Sequence, residues 1–164
     1  MRPFDIHRIL VPTDFSECGQ SALAPARQLA AMTGAEIVLL NVMDHGVYYD
    51  TAYCFIDPAA LINEAGRERL ENLERIAREN FPGARARWIV AQGLPEEAIV
   101  EQARNERTDI IVMSTHGHTG LRHWLMGSVA EHVVRNAPCP VLTVKPAYAA
   151  AETVPLRPEL AHTG

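Results

Sequence analysis

The sequence predicts an α/β fold: a single doubly wound parallel sheet of five strands with helices on both faces. Two patterns predict it. Apolar, β-branched runs alternate along the chain with segments of helical periodicity, and parallel strands need crossover connections of that kind. The chain of 164 residues is also long enough for one domain with a real core and too short for two comfortable ones.

The elements follow in order. His7 to Pro12 is a short apolar strand, and Thr13-Asp14-Phe15-Ser16 is a turn in which Ser16, with Glu17 nearby, suits a helix start. Ser21 to Thr33 carries Leu23, Ala26, Leu29, Ala30 and Met32 at roughly helical spacing. Gly34 is a natural C-cap before Glu36 to Val42, a buried strand by composition. Met43 to Pro58 has no steady period and reads as a loop over the carboxyl edge of the sheet, with the character of a lid.

Asn63 to Asn80 places Leu70, Leu73, Ile76 and Ala77 on one face, with Glu and Arg on a solvated one, and Pro82-Gly83 stops it. Arg85 to Ala91 reads as a strand with one wetter face, and Gly93 to Pro95 opens a helix over Glu96 to Arg107. Asp109 to Met113 is the fourth strand. A glycine-rich loop and a helix from about Ser128 to Asn136 come next, and Pro138-Cys139-Pro140 breaks that helix before the fifth strand, Val141 to Val144. Residues 1–146 form the expected domain, and 147–164, with several prolines and alanines, a flexible tail.

Composition narrows the function. A formal charge of −5 with scattered arginines provides no basic stripe, which argues against a nucleic-acid backbone as main partner. No segment approaches the apolar length needed to span a bilayer, and the N-terminus lacks an apolar signal core, so the cytoplasm is the expected compartment. Cys18, Cys54 and Cys139 lie far apart without a C-x-x-C pair and read as reduced thiols. Cys139, between two prolines, reads as a packing residue rather than a nucleophile.

The chemistry concentrates after the fourth strand. Its apolar run ends in Ser114-Thr115-His116-Gly117-His118-Thr119-Gly120, and Gly127-Ser128 then opens a helical segment. Glycines let backbone N–H groups approach a ligand, and a helix N-terminus offers unpaired donors with partial positive charge, so the layout suits a phosphate. Lys145 is the only lysine, which excludes a G-x-x-x-x-G-K-[ST] loop; any phosphate must be held by backbone and hydroxyls. In an open doubly wound sheet, ligands bind outside the carboxyl ends of the strands where strand order reverses. There Thr13-Asp14, Val42 to Asp44 and Ser114 to Gly127 can meet. Each part also has a plainer role: Asp14 as a helix cap, Gly117 and Gly120 as turn residues, Gly127-Ser128 as a helix start.

His116, His118 and His123 cluster around the loop, but their spacing is not that of a helical zinc pair, so no metal site is expected. A histidine beside a phosphate would favour its charged form and strengthen binding at lower pH. No G-x-S-x-G elbow or persuasive Ser-His-Asp order is present, and no catalytic residue is assigned.

These residues resemble the universal stress protein family, whose nucleotide-binding members carry Gly-x2-Gly-x9-Gly-[Ser/Thr] after the fourth strand. On this chain the second glycine falls on Gly117, His118 to Met126 fill the nine-residue gap, and Gly127-Ser128 closes the pattern, while Ser114 stands at the first glycine. The opening Ile9-Leu10-Val11-Pro12-Thr13-Asp14, the Asn41-Val42 strand end and the closing Ala137-Pro138-Cys139-Pro140-Val141-Leu142-Thr143-Val144 are similar too, so the resemblance spans roughly residues 5 to 146. It implies a Rossmann-like domain that binds ATP or AMP, with Mg2+ left open. By that resemblance Asp14 and the Val42 backbone face the adenine, and Pro12 and Thr13 border the ribose or base. Gly117 approaches the ribose and α-phosphate, Gly127, Ser128 and Val129 donate to phosphates, and Ser114, His116 and Thr119 complete the loop. The resemblance also implies a homodimer through the Val141 to Val144 edge strand. A cytoplasmic nucleotide-dependent switch in stress response is the leading expectation; a slow ATPase and a nucleotide-free dimeric interaction module are the alternatives.

Overall fold

The structure is a computed structural model that describes residues 5–44, 58–117 and 126–145. Five strands, β1 (Arg8–Pro12), β2 (Glu36–Met43), β3 (Ala86–Gln92), β4 (Ile110–Ser114) and β5 (Val141–Val144), form one sheet in the order β3-β2-β1-β4-β5. Every pairing is parallel. The helices are α1 (Glu17–Gln20), α2 (Leu23–Thr33), α3 (Pro58–Asn80), α4 (Pro95–Asn105) and α5 (Ser128–Asn136). The chain builds outward from β1 to β3, then returns to lay β4 on the other side of β1. Strand order therefore reverses between β1 and β4, and the crevice at their carboxyl ends is where a doubly wound sheet receives a ligand.

Side chains alternate across each strand, and the two faces bury two separate cores. Ile9, Val11, Ile37, Leu39 and Val112 pack with Leu23, Ala26 and Ala30 of α2 and with Leu73, Ile76 and Ala77 of α3. Leu10, Val38, Leu40, Ile111 and Met113 pack with Ile99, Val100 and Ala103 of α4 and with Ala130 and Val133 of α5. Helices on both faces explain why the central strands are apolar throughout rather than alternating.

Several local expectations are met in detail. Ser16 caps α1, its hydroxyl accepting from the Gly19 N–H. Gly34 ends α2 in the left-handed conformation at φ 72°. Others are corrected. The segment from Ser16 to Thr33 is broken by a turn at Ser21 and Ala22 into a one-turn helix and α2. Met32 does not join the apolar face of α2: it is 85% exposed, because the sheet-facing stripe runs through Leu23, Ala26 and Ala30. Leu70 of α3 is likewise exposed, while Leu73, Ile76 and Ala77 are buried. α3 begins at Pro58, five residues before the predicted start, and proline is well suited to a first helical position. β3 has no distinct wet face; Ala86, Trp88 and Val90 pack on one core and Ile89 and Ala91 on the other. The expected lid and tail fall largely outside the described residues.

At the amino-terminal edge of the sheet the charges are paired. Arg8 Nε donates to Glu36 at 3.1 Å and its Nη1 donates to the Glu106 carbonyl, while Arg87 bridges Glu36 at 3.3 Å and Glu106. The hydrogen bond from Arg87 holds the Glu106 carboxyl below its usual range, and Glu106 in turn raises the Arg87 guanidinium. Burial raises the Cys139 thiol, assisted by the charge of Asp109. Among the described residues, no helix is long and apolar enough to cross a membrane.

Candidate functional site

The opposite, carboxyl edge is built differently. β1 ends at Pro12, and Thr13 extends its pairing by one bond, its N–H donating to the Leu40 carbonyl at 2.8 Å. The chain then turns sharply through Phe15, whose φ of 65° is rare for a side chain of that size. Local bonds hold the turn. The Phe15 N–H donates to Thr13 Oγ1 at 3.2 Å, and the Ser16 N–H and hydroxyl both donate to Asp14 Oδ1, at 3.0 and 2.5 Å. Asp14 therefore does not cap α1 itself; it braces Ser16, which does. Pro12 and Thr13 are buried beneath this turn.

The β4 loop arrives beside it. A Cβ built on Gly117 would lie 2.7 Å from Asp14 Oδ2, and one built on Gly19 would collide with Asp14 Oδ1. Two glycines, one from α1 and one from the β4 loop, thus let the backbone close on a single carboxylate from both sides. Gly117 is not among the residues at positive φ, so close approach is what requires glycine there. Ser114, at the position of the first motif glycine, is the last residue of β4 and is buried; its hydroxyl accepts from the His116 N–H at 3.3 Å, folding the start of the loop. Extended backbone needs no glycine, and the serine hydroxyl does local work instead.

Gly127 fixes the other end of the loop. Its N–H donates to the Thr115 carbonyl at 2.8 Å, and a Cβ there would press on the same oxygen at 3.2 Å. Gly127 is the N-cap of α5 and supplies no side-chain cap, so the first N–H groups of the helix, at Ser128 and Val129, form an end of positive partial charge beside Thr115. His116 is half-buried, its Nδ1 2.9 Å from the Thr115 hydroxyl.

Of the predicted site residues, the structure brings Pro12, Thr13, Asp14, Ser114, His116, Gly117, Gly127, Ser128 and Val129 to the crevice between β1 and β4. Val42 lies at the end of the neighbouring β2. Thr119, His118 and His123 lie outside the described residues. Among the described residues there is no group of three or more metal-ligating side chains. Sequence reasoning missed Gly19, Asn41 and Arg69. Asn41 is fully buried, donates through Nδ2 to the Thr13 carbonyl at 2.7 Å and accepts from Arg69 Nη1 at 2.8 Å. The available signal was the single amide that interrupts the apolar strand Ile37 to Val42.

Comparison with known proteins agrees with this architecture. The sequence model of the Universal stress protein family matches residues 5–145. Universal stress protein MJ0531 of Methanocaldococcus jannaschii is 37% identical over 142 residues, covering 84% of this chain and 81% of that protein. Universal stress protein MJ0577 of the same organism is 32% identical over 154 residues, 84% of this chain and 94% of that protein. A solved structure of MJ0577 superposes with a TM-score of 0.76 at 35% identity, covering 86% of this chain and 96% of that one. A universal stress protein solved in complex with cAMP superposes with a TM-score of 0.61 over 87% of this chain and 99% of that one; at 24% identity it speaks for the fold alone. With the family pattern spanning both the sheet and the loops at its carboxyl edge, this chain belongs to the universal stress protein family.

Proposed function

We propose that the protein binds an adenine nucleotide, ATP or AMP, at the carboxyl edge of its sheet, and works as a cytoplasmic, homodimeric, nucleotide-dependent switch in stress response. One observation carries the binding reading: Asp14 meets Gly117 at the strand-order reversal, beside a helix start without a side-chain cap at Gly127 and Ser128. That arrangement offers a carboxylate acceptor and backbone donors within one crevice, which suits a ribose or base on one side and phosphates on the other.

In this reading Asp14 and the Val42 backbone face the adenine, with Pro12 and Thr13 forming the floor. Gly117 lies against the ribose and α-phosphate; Gly127, Ser128 and Val129 donate to the phosphates; and Ser114, His116 and Thr119 shape the loop. The dimer forms through β5, which ends the sheet and leaves Leu142 42% exposed on a strand with one unpaired edge.

Calorimetric titration with AMP and with ATP, with and without Mg2+, tests the binding reading. Saturable binding at one nucleotide per chain, weakened at least about tenfold by Asp14→Ala, is expected; the magnitude is that of one charged hydrogen bond. The absence of heat with either nucleotide at millimolar concentration refutes it.

A further inference from the structure

We infer that Arg69 is a positioning residue for the base of the bound nucleotide, acting through Asn41 on the peptide groups that end β1 and β2. The inference rests on the adenine-nucleotide reading and adds to it a residue of α3.

Along β2, Ile37 and Leu39 face the core beneath α2 and α3, and Asn41 is next in that row. Along α3, Leu73, Ile76 and Ala77 are buried on the sheet-facing stripe, and Arg69 precedes Leu73 by one turn. The apolar stripe of the helix and the apolar row of the strand thus end in polar residues at the same place, and these two meet. Arg69 Nη1 donates to Asn41 Oδ1 at 2.8 Å, and Asn41 Nδ2 donates to the Thr13 carbonyl at 2.7 Å. A guanidinium only donates and a carbonyl only accepts, so the Asn41 amide has one orientation between them. Two apolar side chains would fill the space without desolvating an amide and a guanidinium. What the polar pair adds is a fixed Thr13 carbonyl.

That carbonyl occupies a decisive place. The Leu40 carbonyl accepts from the Thr13 N–H, and peptide groups alternate along a strand, so Val42, two residues on, turns its own N–H and C=O to the same side. Asn41 takes the Thr13 carbonyl where a continuing parallel ladder would bring the Val42 N–H. The ladder between β1 and β2 ends here, and the Val42 peptide is directed past the end of β1 into the crevice. An N–H and a C=O side by side complement the N1 acceptor and N6 donor of adenine, whereas guanine presents a donor at N1 and an acceptor at O6. Arg69 therefore acts on the reading of the base and not on the phosphates.

The test compares AMP, GMP and ribose 5-phosphate by calorimetric titration of wild type, Arg69→Met and Arg69→Lys, with far-UV circular dichroism to confirm folding. In Arg69→Met, leaving the Asn41 oxygen without this donor weakens AMP about tenfold. The preference for AMP over GMP falls with it, ribose 5-phosphate is unchanged, and Arg69→Lys recovers part of the AMP affinity. If Arg69→Met does not fold, Arg69→Lys decides by itself: a smaller loss for AMP that spares ribose 5-phosphate supports the inference. Wild-type AMP affinity and selectivity in the folded variants overturn it, as does an equal loss for AMP and ribose 5-phosphate. A wild-type protein that binds no AMP overturns the nucleotide reading itself, so the two failures are told apart.

Discussion

Replacing Gly117 with alanine probes the contact on which the site depends. The added methyl would stand 2.7 Å from Asp14 Oδ2, where ordinary contact begins at 3.4 Å. Asp14 cannot simply swing away, because its other oxygen receives two hydrogen bonds from Ser16, and Ser16 caps α1. Either the β4 loop lifts or the Asp14 to Ser16 turn is dragged out of place. Overpacking of this kind costs about 1–3 kcal/mol. Removing the carboxylate should remove the collision, so Gly117→Ala introduced into an Asp14→Ala background should cost at least about 1 kcal/mol less than in wild type. Urea unfolding of the four proteins of this cycle measures that coupling through their midpoints at a common slope. Additive effects of the two substitutions would show that Asp14 and Gly117 do not touch in solution, and the geometry of the crevice would have to be redrawn.

Further predictions concern the frame around the site. Leu73→Ala, in the core beneath α3, should destabilise by about 2–5 kcal/mol in urea unfolding, while Met32→Gln, on a side chain 85% exposed, should change stability by no more than about 0.5 kcal/mol. The Glu106 carboxyl is held low by Arg87, so its folded pKa lies below its unfolded value. The pair's contribution is complete above about pH 4.3, the unfolded glutamate value, and is lost as pH falls through the lower folded one. Arg87→Met should accordingly lose less stability than wild type across that acidic window when unfolding is followed against pH. Burial raises the Cys139 thiol, so in a Cys18→Ser, Cys54→Ser background its alkylation by iodoacetamide should rise with pH later than that of a free cysteine; coincident profiles would contradict this. Leu142→Lys on the β5 edge should convert a dimer to a monomer in sizing with light scattering, and a monomeric wild type would remove the proposed dimer.

The strands and most helix ends were legible because they are dictated locally. Val38, Leu39 and Leu40 need cover on both faces wherever they stand, Ser16 caps the turn that follows it, and Gly34 takes the left-handed conformation that ends α2. The Gly117 and Gly127-Ser128 loop was legible as a pattern of small residues after a strand. Contacts between distant segments were not. Gly19 is an unremarkable helix residue until Asp14 is seen against it, and Arg69 reads as one of many charges on a mixed-sign helix until it meets Asn41. Met32 misled for the same reason: helical spacing defines a face, but only packing shows which edge of that face meets the sheet. The first turn of α3 is not legible in the sequence, because Pro58 ends an aperiodic stretch that carries no helical spacing to mark a start.

Whether the carboxyl edge of this sheet holds an adenine nucleotide is decided by denaturing freshly purified protein and identifying any released nucleotide by chromatography. AMP or ATP approaching one per chain is the expected result, with its loss from an Asp14→Ala, Gly127→Val double variant that remains folded. The same yield of nucleotide from that folded variant would contradict the site. A wild-type protein that releases none, and also fails to take up AMP or ATP when they are supplied at millimolar concentration, would contradict the function.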